Sequence, residues 1–124
     1  MEQKKKVTRS TILIVEDNCL YRESLKLILN TQYTLLEAET RQQAITLLFN
    51  KKNHIDLVLL DLNLPDARGS QSVSRFIQQF PEIPVIVLTI EADPHIAADV
   101  IKRGACDYIL KNGIYDNSTS LIKK

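Results

Sequence analysis

Glu16, Asp17, Asp61, Thr89 and Lys111 each stand at or just past the end of a short apolar run. If those ends meet, three carboxylates, a hydroxyl and an ammonium share one site. Crowded carboxylates repel one another and favour a cation. Oxygen donors of this kind suit Mg2+, which takes few carboxylates and keeps several waters. Lys111 would supply fixed positive charge and Thr89 a hydroxyl donor. With a metal, these groups neutralise charge on phosphoryl oxygens. The set therefore suits phosphoryl transfer, with a carboxylate nucleophile and an acyl phosphate product. Asp61 is the candidate nucleophile, because it stands alone at the end of its run and falls in the centre of the set.

The runs that carry these residues read as β-strands: Thr11–Val15, 33–37, 57–60, 84–89 and Asp107–Leu110. Most lack polar alternation, as strands covered by helices on both faces do. Helical patterns lie between them. Asp17 or Asn18 can cap the first helix, whose stripe is Tyr21, Leu25, Ile28 and Leu29. Thr40 and Gln43 form a capping box ahead of Ala44, Ile45, Leu48 and Phe49. Val73, Phe76, Ile77 and Phe80 recur at helical spacing before Pro81 ends the pattern. Asp93 and Pro94 open a helix with Ile96, Val100 and Ile101, and Gly104 stands where a C-cap belongs. A last helix over 117–124, with Leu121 and Ile122 as its apolar contacts, would be short, which points to a truncated piece whose parent continues. Strand–helix–strand crossovers are right-handed. The expected fold is α/β: a flavodoxin-like, doubly wound parallel sheet of five strands in the order 2-1-3-4-5, a (βα)5 unit with a short or truncated last helix. Sites in such sheets lie at the carboxyl ends of the strands, where strand order reverses. Here that point falls between the first and third strands, where the three acids converge.

With 124 residues, 44% hydrophobic and 25% charged, the chain has the composition of one globular domain. The first nine residues carry Lys4, Lys5, Lys6 and Arg9 against Glu2, a surplus of +3, so a net charge of +1 leaves −2 on the remainder. Residues 1–10 read as a basic, flexible tail and 11–124 as the folded domain. A solvated tail is the ordinary meaning of four such charges. The start has the charge of a signal peptide, but Glu16-Asp17 cuts its apolar stretch short, and no run is long enough for a membrane span. A soluble, cytoplasmic protein is expected. Cys19 and Cys106 form no metal-ligand pattern and are expected to be small apolar fillers, and His54 and His95 to lie on the surface.

The chain resembles the receiver domain of bacterial response regulators in two-component signalling. The resemblance rests on Glu16-Asp17, on the run from Asp61 through Asn63 and Pro65 to Gly69, on Thr89, and on Gly104-Ala105, Asp107-Tyr108 and Lys111. Each motif alone is weak, and together, in this order and spacing, they are specific. The resemblance implies that Asp61 accepts the phosphoryl group. It implies that Asp17 and Asp61 bind Mg2+ directly, Glu16 through water and Asn63 through its backbone carbonyl. Thr89 and Lys111 would hold the phosphoryl group, with Tyr108 as the aromatic switch that follows Thr89. Asn63 and Glu91 would flank the path of attacking water and tune dephosphorylation. The implied partners are a sensor histidine kinase or phosphotransfer protein, a downstream output domain or protein, and a second copy of the chain after phosphorylation. No membrane partner is implied, and nucleic acid only through a missing C-terminal domain. Such a protein is a self-phosphorylating and self-dephosphorylating switch rather than a turnover enzyme.

Two features depart from the family pattern. Asn112 stands where many members have a proline after the lysine. A non-proline cis bond costs about 3–4 kcal/mol, so a trans Lys111–Asn112 bond is expected. A polar residue there resembles the subgroup that precedes helix-turn-helix domains. The second departure is the short last helix, which belongs to the family's output face. Two other functions fit parts of the pattern: an aspartate-nucleophile phosphohydrolase of the haloacid dehalogenase type, and a pseudo-receiver interaction module that takes no phosphate. Asn63 stands where the phosphohydrolase needs a second acid, and its acid pair follows the lysine, whereas Glu16-Asp17 comes first. The complete acid, threonine and lysine set argues against a pseudo-receiver.

Overall fold

The apolar runs become strands because their branched side chains pack on both sides of a pleated sheet. The structure is a computed structural model describing residues 9–50 and 52–111. The elements in order are β1 (Thr11–Val15), α1 (Cys19–Leu29), β2 (Thr34–Ala38), α2 (Arg41–Phe49), β3 (Leu57–Asp61), β4 (Asn63–Leu64), β5 (Ala67–Arg68), α3 (Ser70–Gln79), β6 (Val85–Thr89), α4 (Pro94–Lys102) and β7 (Asp107–Leu110). Five strands form one parallel sheet in the order β2-β1-β3-β6-β7, the doubly wound order expected. The expectations for the tail before Arg9, for the Lys111–Asn112 bond and for a last helix fall outside the described residues.

Successive residues of a strand point to opposite faces, and the core divides accordingly. Leu13, Val15, Val58, Leu60, Val85 and Val87 meet Ala44, Val73, Phe76 and Val100 on the side of α2, α3 and α4. Ile12, Ile14, Leu59 and Leu88 meet Tyr21 and Leu25 of α1 on the other. Phe76 is fully buried, and truncating such a side chain to alanine costs about 3–5 kcal/mol.

The caps match the sequence signals. Asn18, not Asp17, caps α1 by accepting from Tyr21 N. Thr40 accepts from Gln43 N, while the Gln43 side chain reaches one residue further back, to Glu39 N. Asp93 caps α4 with Pro94 at its start, and Gly104 takes a φ of 117° after its end.

Several details differ from expectation. The second strand starts and ends one residue later, because Ala38 is the small buried residue that pairs with Val15. Phe49 and Ile101, placed in apolar stripes, are exposed at the ends of their helices. Cys19 and Cys106 are free and exposed rather than buried fillers. Both lie at element boundaries, Cys19 at the start of α1 and Cys106 just before β7. The hairpin of β4 and β5, antiparallel and two residues per strand, was not foreseen. Asp66 at its tip accepts from Arg41 N and Gln42 N at 2.8 and 3.0 Å, so the hairpin caps α2 from a distance.

Candidate functional site

The carboxyl ends of β1, β3, β6 and β7 bring the expected residues together. β3 lies between β1 and β6, so Asp61 falls at the centre. Glu16, Asp61, Thr89 and Lys111 are buried, and Asp17 is exposed. One carboxylate oxygen from each of Glu16, Asp17 and Asp61 lies within 4.8 Å of the others. Lys111 Nζ bridges the cluster, at 2.7 Å from Glu16 Oε1 and 3.1 Å from Asp61 Oδ1. It also lies 5.4 Å from the centroid of the Tyr21 ring, a cation–π distance.

Backbone donors fix the acids. Asn18 N donates to Glu16 Oε2 at 2.9 Å, and Asn63 N donates to Asp61 Oδ1 at 3.2 Å. The loop after Asp61 closes on itself through Gly69, whose N–H donates to Leu62 O at 2.9 Å and Asn63 Oδ1 at 3.2 Å. That closure uses a φ of 83° at Gly69, which side-chain-bearing residues rarely adopt. Thr89 Oγ1 accepts from Glu91 N at 3.0 Å. Asn63 Nδ2 reaches Glu91 Oε2 at 3.4 Å, so the two polar positions flanking the site touch each other. Tyr108 does not join the cluster. It is half-buried at the edge of the core on the α4 side, level with Val87.

Among the described residues, three carboxylates face one ammonium. Burial, and then the charge of Glu16, push the Asp61 carboxyl up to about 6, against the pull of Lys111 and the Asn63 N–H. Burial alone would lower Lys111, but its hydrogen bond to Glu16 and the charge of Asp61 outweigh that and raise it. The cluster is thus short of positive charge, and its all-oxygen donors are of the type that holds a hard divalent cation. The residues present fit such an ion.

Sequence reasoning missed Arg22. Its guanidinium is buried beside the cluster, with Nη1 donating to the Glu16 carbonyl at 2.6 Å. An arginine one position off an apolar stripe has no local mark of burial, and its partners Glu37 and Glu39 belong to another part of the chain.

Fold and site together define the class: a doubly wound α/β domain with an acid–lysine cluster at the switch point of its sheet. The sequence pattern of the family described as response regulator receiver domain matches residues 12–122. The transcriptional regulatory protein DegU of Brevibacillus brevis is 33% identical over 103 residues, covering 81% of this chain and 43% of that protein. The transcriptional regulatory protein YdfI of Bacillus subtilis (strain 168) is 35% identical over 104 residues, covering 82% and 47%. The chain thus spans less than half the length of these two relatives. Among solved structures, the signal receiver domain of an HD domain-containing protein from Pseudomonas fluorescens Pf-5 has a TM-score of 0.72 at 26% identity, covering 94% of this chain and 96% of that one. A LuxR-family two-component response regulator from Aurantimonas sp. SI85-9A1 shares the fold, with a TM-score of 0.76 at 21% identity over 94% and 81% of the two chains. This chain belongs to the response regulator receiver domain family. No helix among the described residues is long and apolar enough to cross a membrane.

Proposed function

We propose that the domain is a phosphorylation-dependent switch in which Asp61 accepts a phosphoryl group from a histidine kinase or phosphotransfer protein. An ionised Asp61 oxygen attacks the phosphorus of a phosphohistidine. The new O–P bond forms as the N–P bond breaks, and the imidazole leaves with the bonding pair and takes up a proton. Lys111 neutralises the growing charge from one side, and Thr89 donates its hydroxyl to a phosphoryl oxygen. Asp17, Asp61 and the Asn63 carbonyl would hold Mg2+ directly and Glu16 through water. When bound, the ion neutralises charge on the phosphoryl oxygens. Thr89 and Tyr108 then shift an existing equilibrium between two surfaces. The product is a changed surface read by an output domain, an output protein or a second copy, so the domain acts as a cytoplasmic switch and not as a turnover enzyme.

The observation that carries this reading is the position of Asp61: central, buried and paired to Lys111, within 4.8 Å of two other acids. Asn63 and Glu91, in contact across the site, would set the lifetime of the acyl phosphate. Asn63 in place of a second acid weighs against the phosphohydrolase, and the pseudo-receiver is an outcome of the test. Intact-protein mass is measured after incubation with Mg2+ and acetyl phosphate. One hydroxylamine-labile phosphoryl adduct on the wild type, absent from Asp61→Asn, is expected. Neither adduct nor phosphate release would make the domain a pseudo-receiver.

A further inference from the structure

Two cationic side chains are buried among the described residues: Lys111 in the acid cluster and Arg22 in the first turn of α1. A guanidinium remains buried only where its donors find partners. Nε of Arg22 donates to Glu37 Oε1 at 2.8 Å, and Nη2 to Glu39 Oε2 at 3.4 Å. Those carboxylates are 35% and 60% exposed, so water weakens both pairs. The third bond, from Nη1 to the Glu16 carbonyl at 2.6 Å, is buried.

That carbonyl belongs to the peptide unit joining Glu16 to Asp17. A peptide unit is planar, so holding its C=O also fixes the N–H and Cα of Asp17. Two of the three clustered acids therefore hang from one unit that Arg22 clamps. On the other side of that unit, Glu16 N donates to Ala38 O at 2.9 Å, so the clamp and the strand pairing both refer the acids to the end of β2. Asp17 itself is exposed.

We propose that Arg22 is a positioning residue for the cation site: by clamping the Glu16–Asp17 peptide to the end of β2, it sets the spacing of the two carboxylates and hence the affinity for a divalent cation. The inference rests on the proposed cation-binding role of the acid cluster. Arg22 touches neither the cation nor the phosphoryl group.

A purely structural arginine would tie α1 to β2 without affecting the ion, and cation affinity measured on folded protein separates the two. Mn2+ binding to the full chain is followed by the loss of the free-ion resonance, at a temperature where circular dichroism shows each variant folded. Arg22→Met is expected to weaken Mn2+ binding by about tenfold or more, the size of effect seen when groups behind metal ligands are lost. Arg22→Lys, which keeps one donor for the carbonyl, is expected to recover part of that loss. Phe80→Leu, in the core on the opposite face, serves as a control that lowers the melting temperature and leaves Mn2+ binding unchanged. Unchanged affinity in Arg22→Met, or an equal loss in Phe80→Leu, overturns the inference. If Arg22→Met does not fold, Glu37→Gln combined with Glu39→Gln loosens the guanidinium from β2 and should weaken binding, and unchanged affinity there overturns it as well. Absence of Mn2+ binding to the wild type overturns the cation-site reading, and this inference with it, whereas wild-type binding with indifferent Arg22 variants overturns this inference alone.

Discussion

Asp56 and Asp61 stand at the two ends of β3 in opposite surroundings. Asp56, just before the strand, accepts from Thr11 N at 2.8 Å and pairs with His54, whose side chain is 90% exposed, at 3.0 Å. It is a half-exposed carboxylate whose oxygens are used locally. Asp61, at the strand's last position, is buried beside two more acids, with one lysine shared between it and Glu16. The first arrangement joins β1 to β3. The second concentrates negative charge that the described side chains do not balance. A cluster that would weaken an ordinary domain is a reason to look for a ligand, because an added cation would balance it.

The contrast is broken most severely by removing the Asp61 charge. Its folded carboxyl titrates at about 6, above the ordinary 3.8, so the folded state holds this proton more tightly than the unfolded state does. Protonation therefore favours folding: the contribution is complete below about 3.8 and is lost as pH rises through about 6. Without divalent cation, Asp61→Asn should exceed the wild type in stability near neutral pH by up to about 3 kcal/mol. The gap should close in acid. Urea denaturation at several pH values with chelator present reads this, and a variant less stable than wild type at neutral pH would make Asp61 a structural cap instead.

Adding the missing charge should act in the same direction. Mg2+ is expected to stabilise the wild type by about 2.7 kcal/mol at roughly 100-fold excess over Kd, read as a rise in melting temperature. Asp61→Asn should blunt that rise and Asp56→Asn should not. Equal shifts in all three proteins would place the ion elsewhere.

The smallest effect belongs to Asp56. Asp56→Ala leaves the Thr11 N–H without its acceptor and should lower stability by about 1 kcal/mol, with or without Mg2+. Chemical denaturation in both conditions checks this. A loss that depends on Mg2+ would couple the two ends of β3.

Much of this architecture was legible in the chain. Unbroken apolar runs mark strands covered on both faces, and Asn18, Thr40 and Asp93 cap their helices through contacts spanning only a few residues. Such signals survive in sequence because cause and effect are neighbours. Topology then places strand ends together, which is why Glu16, Asp17, Asp61 and Lys111 were recognisable as one site. Arg22 and Asp66 were not recognisable, since each is defined by partners on other elements. Arg22 answers to Glu37, Glu39 and the Glu16 carbonyl, and Asp66 to the first amides of α2. The exposure of Cys19 and Cys106 was misjudged for a related reason: whether a small residue is covered depends on what packs opposite it.

By itself, the sequence determined which residue types stand at which strand ends, and with them the parallel sheet and the composition of the site. Local propensity, capping and apolar periodicity act over a few residues, so they can be read along the chain. Only the tertiary structure decided that Asp61 is pushed up while Asp56 is satisfied locally, that Lys111 divides itself between two acids, and that a buried arginine holds the peptide carrying Glu16 and Asp17. Burial and electrostatic coupling depend on distances between segments remote in sequence, and those distances exist only once the sheet has formed.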